Sequence, residues 1–450
     1  MQQAPALNRP SDGQSAADRL EFLFVLVGSA GDVLPGLTLA RQLVSMGHRA
    51  TVLSNDYFRE KVEKSGVSFL SNGPLEEYFR LTKHPDLWKP LKGTKLLLAD
   101  PQFTKMQGMQ FEAVREWVEQ RSGRSIAVIG SSLALGARIA REIQPFPMAS
   151  LHLSPAVFRS VVEPPRLSTT GMMSWLHHRY PKAFRYLVDR FLIDPLLESQ
   201  LGGLRRQLGI APIRGWFGQW LHSPDLVIAL FPEWFSQPGD LPPQTRQYPF
   251  LLCGNEEPLP VEIARFLERG SAPIVVTLGS AMAQATRAFE AVGRVAQKLK
   301  RRVVYLTQHP EQLGPVVKKM SEGDHGLVAK WAPLGPLFER SALVIHHGGI
   351  GTLAQVLQSG VPQLILPFAH DQPDNAERIK RKGLGDFHNA HWLWQRKLRN
   401  QMAELLESQK LRENCQLTAA RMRREAAPGK IEADLVSLAT GKLGKSAVPT

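Results

Sequence analysis

Residues 330–375 read KWAPLGPLFERSALVIHHGGIGTLAQVLQSGVPQLILPFAHDQPDN. Within them, residues 342–345 are a short apolar run, read as a buried strand. It passes directly into His346-His347-Gly348-Gly349-Ile350-Gly351-Thr352. Glycines there let the backbone approach a ligand closely, and Thr352 stands where a helix over 352–358 begins. A helix N-terminus presents unpaired N–H groups and partial positive charge, so phosphate is its natural guest. Gly360 closes that helix and residues 361–368 form a second apolar strand, followed at once by His370-Asp371-Gln372. Ligands of open α/β sheets bind outside the carboxyl ends of strands. The segment therefore predicts a diphosphate seat at Gly349, Gly351 and Thr352. Beside it, Asp371 and Gln372 form a hydrogen-bonding pair suited to sugar hydroxyls.

Outward from this segment the chain alternates strand and helix. Residues 22–27 are a continuous apolar run, as expected of a central parallel strand. The loop 28–32 follows, then a helix with Pro35 in its first turn and helical apolar spacing over 37–46, then a strand over 49–54. Further strands are read at 126–130, 147–153 and 226–231, with a helix at 133–142. Prolines crowd residues 237–262, which read as a linker. The pattern then restarts with a strand at 274–278, the loop Gly279-Ser280, a helix at 287–300 and a strand at 302–307. This alternation predicts an α/β protein of two doubly wound Rossmann-like domains facing each other across a cleft. The expected divisions are a disordered tail over 1–20, a first domain over 21–236 and the linker. A second domain follows over 263–432, then a terminal helix and tail over 433–450. The first loop lacks G-x-G-x-x-G, so a dinucleotide cofactor is not expected.

The central segment resembles the donor-binding signature of nucleotide-sugar-dependent glycosyltransferases of the GT-B fold. The matching elements are W-x-P at Trp331–Pro333, H-x-G-x-x-T at His347–Thr352, G-V-P at Gly360–Pro362 and D-Q-x-x-N at Asp371–Asn375. The resemblance implies that Trp331 stacks on the nucleobase and that His347 reaches the diphosphate. Gly349, Gly351 and Thr352 would serve phosphate oxygens, with Ser280 a further phosphate candidate, and Asp371 and Gln372 would hold the donor sugar. Gln355 occupies the place where many relatives carry a ribose-binding Glu, so both UDP- and dTDP-sugars are open as donors. His346 has no such match and reads as packing.

The first loop, G-S-A-G-D-V at residues 28–33, resembles the loop whose Asp acts as catalytic base in these enzymes, which assigns that part to Asp32. The alternative for Asp32 is a helix cap. This loop, residues 130–140 (GSSLALGARIA) and residues 217–232 (FGQWLHSPDLVIALFP) resemble the rhamnosyltransferases of bacterial rhamnolipid synthesis. The implied activity is inverting transfer of a hexose or deoxyhexose to a hydroxyl of a lipophilic acceptor. A nucleotide-sugar epimerase and a transferase acting on a soluble natural product are the alternatives. In this fold the final helix returns to the first domain, and a metal is usually not needed.

Composition bounds the rest. The formal net charge is +14 over 450 residues, with only two cysteines, Cys253 and Cys415. No nucleic-acid motif accompanies the charge, and no D-x-D or His/Cys cluster points to a metal. No cofactor is expected beyond the nucleotide-sugar co-substrate. Anionic donors and anionic lipid account for the sign of the charge. Residues 169–208 are helical in composition, with Leu176, Tyr180, Phe184, Leu187, Val188, Phe191 and Leu192 on one side and basic residues on the other. Such a stripe either packs on its own domain or lies on a membrane, and Pro181 argues against one straight rod. The expected location is the cytoplasm, with peripheral contact to the inner face of the membrane.

Overall fold

A computed structural model describes residues 19–89, 92–166, 172–253 and 257–443. The tail expected over 1–20 lies outside the described residues except for Arg19 and Leu20, and Leu20 is already buried in the first core. Of the terminal helix and tail expected over 433–450, residues 444–450 lie outside them too.

The first sheet comprises β1 (Glu21–Val25), β2 (Arg49–Ser54), β3 (Ser68–Ser71), β4 (Ile126–Ser131), β5 (Met148–His152), β6 (Leu226–Ala229) and β7 (Thr245–Gln247). Its order is β3-β2-β1-β4-β5-β6-β7, with every pair parallel. The second sheet comprises β8 (Ile274–Thr277), β9 (Val303–Leu306), β10 (Gly326–Ala329), β11 (Leu343–His346), β12 (Gln363–Ile365) and β13 (Gly385–Phe387), in the order β10-β9-β8-β11-β12-β13. It too is parallel throughout. Helices cover both faces of both sheets, so the central strands are buried on both sides and read as unbroken apolar runs. The expected α/β architecture of two Rossmann-like domains is present.

Each sheet reverses its strand order at one place, β1/β4 in the first and β8/β11 in the second. Such a switch point opens a crevice at the carboxyl ends of the strands. The loop Gly28–Asp32 leaves β1 at the first crevice, and His347–Thr352 leaves β11 at the second. Topology alone thus brings both predicted loops to ligand-binding positions.

Several boundaries differ from the sequence reading. The linker expected over 237–262 is shorter, because Thr245–Gln247 pairs with β6 as the last strand of the first sheet. Tyr248, 1% exposed, is part of that first core. The terminal helix is Lys430–Ala439, and Ile431, Leu435, Leu438 and Ala439 pack among residues of the first domain's core. The first helix starts at Ala30, ahead of the reading that put Pro35 in its first turn, so Pro35 falls in its second turn and Asp32 in its first. The apolar run 361–368 pairs only over Gln363–Ile365. Residues 172–207 form not one rod but the helices Met172–Arg179, Pro181–Val188 and Asp194–Gln207, the last two joined by a wider turn.

The halves share an apolar cluster in which Phe231 and Phe235 pack with Leu353, Leu357 and Ala376. Polar groups cross beside it. Arg378, 1% exposed, binds Asp374 at 2.8 Å and Glu163 of the first domain at 2.5 Å. Asp374 also accepts the Arg166 N–H at 2.9 Å. A buried ion pair that loses one partner leaves an uncompensated charge, typically at about 3–5 kcal/mol. Glu163 keeps Ser236 at 2.8 Å and Arg381 at 3.2 Å, which places Arg378→Ala near the lower end, about 3 kcal/mol. A urea unfolding midpoint within error of wild type would show that this contact does not hold the domains together.

Candidate active site

On the first-domain side, Ser29 caps the helix Ala30–Ser45 and Asp32 is its third residue. Asp32 Oδ2 accepts the Ser29 N–H at 2.8 Å and the Ser29 hydroxyl at 2.9 Å. The capping role is therefore real, and it fixes the carboxylate while leaving Oδ1 without a protein donor. Gly28 makes this possible: its φ is +130°, and a Cβ there would lie 2.4 Å from Asp32 Oδ2. Burial raises the Asp32 pKa above the ordinary carboxylate range, with the two Ser29 bonds opposing it. Tyr57 and Tyr78 stack near it at 4.1 Å with 8° between planes. Burial raises the Tyr78 hydroxyl pKa, the neighbouring Tyr57 adds to that, and the Asp32 charge adds further.

On the second-domain side, Gly349 caps the helix Ile350–Ser359, whose opposite end closes at Gly360 in the left-handed conformation (φ 68°). The His347 ring lies between two glycine backbones. A Cβ on Gly349 would meet His347 Nε2 at 2.4 Å, and one on Gly279 would meet it at 3.1 Å. The loop after β8, which carries exposed Ser280, is thus packed against the loop after β11. His347 Nδ1 is buried without a protein partner. Burial, aided by His346, lowers the His347 pKa to about 3, so the ring is neutral and carries one N–H to donate. His346 is fully buried, bonded to Gln363 at 2.9 Å and to the Gly348 N–H at 3.2 Å, a packing role.

Asp371 and Gln372 divide the work at the start of the helix Gln372–Arg381. Gln372 Oε1 accepts the Phe368 N–H at 2.8 Å and the Ala369 N–H at 3.2 Å, which ties down the turn. Asp371 Oδ2 accepts Asn375 Nδ2 at 2.9 Å, and the same nitrogen donates to the Gly348 carbonyl at 2.9 Å. Asn375, fully buried, therefore locks the His347 loop to the Asp371 loop. That is a physical reason for the Asn that closes the D-Q-x-x-N element. His370 sits at φ 61°, with its Nε2 3.1 Å from the Leu87 carbonyl and its ring edge-on to Trp88. The first domain thus reaches over to the residue next to Asp371.

The Asp371 pKa rises to about 6, first through burial and then through repulsion from Asp32. Trp331, 44% exposed, stands two residues past the carboxyl end of β10. Gly351 and the Thr352 hydroxyl are half-buried at the helix start. Gln355, one turn further along the same helix, is 3% exposed and donates its amide to the Cys253 carbonyl at 2.9 Å, which ties the helix to the interdomain connection. Among the described residues, no three His, Cys, Asp or Glu side chains gather as metal ligands do.

Sequence reasoning misses Tyr57, Tyr78, Leu87 and the locking part of Asn375. Only the Asn375 part carries a signal, its place in the closing D-Q-x-x-N.

Comparison with known proteins agrees with this arrangement. Residues 22–146 match the glycosyltransferase family 28 N-terminal domain, and residues 306–438 match the erythromycin biosynthesis protein CIII-like C-terminal domain. A sterol 3-beta-glucosyltransferase of Arabidopsis thaliana is 25% identical over 82% of this chain and 60% of its own length. A second from that plant is 26% identical, with 57% of its length covered, so the chain spans under two thirds of these relatives. The glycosyltransferase GtfC of Amycolatopsis orientalis is 26% identical over 81% of this chain and 85% of its own. In fold, the chain is similar to the glycosyltransferase SnogD from Streptomyces nogalater, with TM-score 0.65 and 21% identity over 94% and 100% of the two chains.

Proposed function

We propose that this chain is a glycosyltransferase of the GT-B fold that moves a hexose or deoxyhexose from a UDP- or dTDP-sugar to a hydroxyl of a lipophilic acceptor, with inversion at the anomeric carbon. What supports this reading is that the two candidate loops meet across the domains: His370, beside Asp371, has its Nε2 3.1 Å from the Leu87 carbonyl of the first domain, and the Asp32 charge helps raise the Asp371 pKa. The acceptor O–H gives its proton to Asp32 as its oxygen bonds to the anomeric carbon. The bond from that carbon to the diphosphate breaks, and the helix start at Ile350 and the neutral His347 ring take up the charge of the leaving group. Trp331 supports the nucleobase, and Ser280, Gly349, Gly351 and Thr352 supply phosphate contacts. The similarity to sterol transferases supports a lipophilic acceptor, and solved relatives bound to thymidine diphosphate keep the dTDP donors open. Within the family, the motifs at residues 28–33, 130–140 and 217–232 favour the rhamnolipid type. The direct test is incubation of UDP-glucose, dTDP-glucose or dTDP-rhamnose alone and with 3-hydroxydecanoic acid, cholesterol or a phenol. Product requiring the lipophilic alcohol is expected; conversion of the nucleotide sugar alone into another sugar nucleotide would overturn the reading.

Asp371→Asn should weaken binding of the sugar nucleotide more than of the bare nucleoside diphosphate, by on the order of 1–2 kcal/mol in calorimetry. The same change bears on stability with a defined sign. The folded pKa of about 6 stands above the ordinary aspartate value of 3.8, so the folded state binds the extra proton between them. Wild-type stability relative to Asp371→Asn therefore falls as pH rises through that window. The variant should melt higher than wild type at pH 8 and match it near pH 3.5.

The lipid reading has a surface to match. In the region read as an apolar stripe, Phe184 and Ile193 turn inward, while Trp175 (62% exposed), Tyr180, Tyr186, Leu187 and Phe191 (71%) face outward among Arg179, Lys182 and Arg190. Aromatic residues ringed by cations suit an anionic bilayer surface, each cation adding about 1 kcal/mol at most. No helix among the described residues is long and apolar enough to cross a membrane. The protein should float with phosphatidylglycerol vesicles at low salt and be released at high salt. Tyr186→Ser with Phe191→Ser should abolish flotation, and wild-type protein that stays in solution at low salt would sink the membrane contact.

A further inference from the structure

Two motifs set apart in the sequence, residues 130–140 and 217–232, have no part in the reaction above. The fold brings them together through three side chains. The Ser132 hydroxyl lies 2.9 Å from His152 Nδ1, and His152 Nε2 lies 3.0 Å from His222 Nδ1. His152 ends β5 and is fully buried, His222 is 5% exposed, and Phe158 stacks on the His222 ring at 5.2 Å. Ser132 is the only half-exposed member, and it stands directly after β4. That is the first sheet's switch point, where the Val27 N–H bonds the Ser131 hydroxyl at 3.0 Å and joins this loop to the one carrying Asp32.

A polar chain in an apolar core is costly unless every group is paired. Here two tautomer pairs satisfy it equally. In one, Ser132 donates inward and His152 donates to His222; in the other, His222 donates to His152, His152 donates to Ser132, and the serine proton points outward. Burial lowers both ring pKa values, with His222 adding to the effect at His152 and Arg138 adding to it at His222, so both rings stay neutral. The chain therefore lets a crevice hydroxyl switch between accepting and donating without creating charge.

Resting on the transferase reading, we propose that Ser132, held by His152 and His222, is the residue that orients the acceptor's reacting oxygen against Asp32. One lone pair of that oxygen takes the Ser132 hydrogen bond, its O–H points at Asp32, and its second lone pair faces the anomeric carbon. Ser132 keeps its proton throughout. The acceptor is thus an alcohol, or water in its absence, and His152 and His222 are positioning residues.

Two measurements on the full chain test this. With ¹⁵N-histidine labelling, Ser132→Ala should shift the ring nitrogen resonances of His152 and, through it, of His222. An unmoved His222 resonance would overturn the relay whatever the enzyme's substrates. In kinetics with UDP-glucose or dTDP-glucose, Ser132→Ala should slow transfer to 3-hydroxydecanoic acid or cholesterol, and to water, about tenfold. The KM for the nucleotide sugar should stay within about twofold, and Ser132→Thr should restore at least half the rate. His222→Gln should reproduce part of the loss and add nothing in the Ser132→Ala background, a non-additivity that a merely structural role would not give. Unchanged rates in Ser132→Ala, an equal rise in donor KM, or multiplying losses in the double variant would overturn the proposal. Wild-type protein that neither transfers nor hydrolyses any donor would instead overturn the transferase reading, and the resonance shifts would then decide the relay alone.

Discussion

Asp32→Asn should lower turnover by about a hundred to ten thousandfold, the usual worth of a general base, while calorimetry finds nucleotide-sugar affinity nearly unchanged. The substitution is a clean one here. An Asn side-chain oxygen can still accept both Ser29 donors, now at 2.8 and 2.9 Å from Oδ2, so the helix cap and the fold survive. What vanishes is basicity at the position of Oδ1. Because burial raises the Asp32 pKa, wild-type turnover should decline as pH falls through that raised value. Asp371, protonated below about 6, adds to the same limb. A variant that keeps more than half of wild-type turnover would remove Asp32 from the base role.

The second large effect is expected at His347. Its ring is fixed by Gly279 and Gly349 and stays neutral down to about pH 3, so it can act only as a hydrogen-bond donor to the leaving diphosphate. Loss of one preorganised donor to developing charge costs about 10²–10³ in kcat. His347→Ala should fall near the lower figure, since the helix N-terminus at Ile350 remains. The shape of the pH profile should not change, because His347 does not titrate in the working range. A fall of less than about threefold in kcat would assign the leaving group to the backbone alone.

How much of this is legible in the sequence follows from burial. The strands interior to the two sheets can all be read, because both faces are covered and the sequence there is mostly apolar, as in EFLFV, IVVT and LVIH. The strands that escape reading are β3, β7, β10 and β13, the four sheet edges. Their sequences are SFLS, TRQ, GLVA and GDF. An edge strand has one unpaired side and partial cover, so it needs neither length nor hydrophobicity. The misplaced linker is the same error, since TRQ among prolines looks like connection. The candidate binding loops are legible because their chemistry is local: glycines, a helix start and polar residues within a few positions. Contacts such as Ser132 with His152, His152 with His222, or Leu87 with His370 join residues 20 to 283 positions apart, and no spacing rule reads them. The hydrogen bond from the Gln355 amide to the Cys253 carbonyl, 102 positions away, is another contact of this kind.

The crossing of the last helix back to the first domain has a practical side. Ile431, Leu435 and Leu438 fill the core around β1 and β4, so the helix Lys430–Ala439 belongs energetically to the first domain, the half read as the acceptor side. A chimera that swaps donor specificity by grafting everything after residue 257 would import a foreign plug into the acceptor half's core. The graft that preserves both cores has two junctions, one near residue 257 and one at Gly429, ahead of the helix Lys430–Ala439.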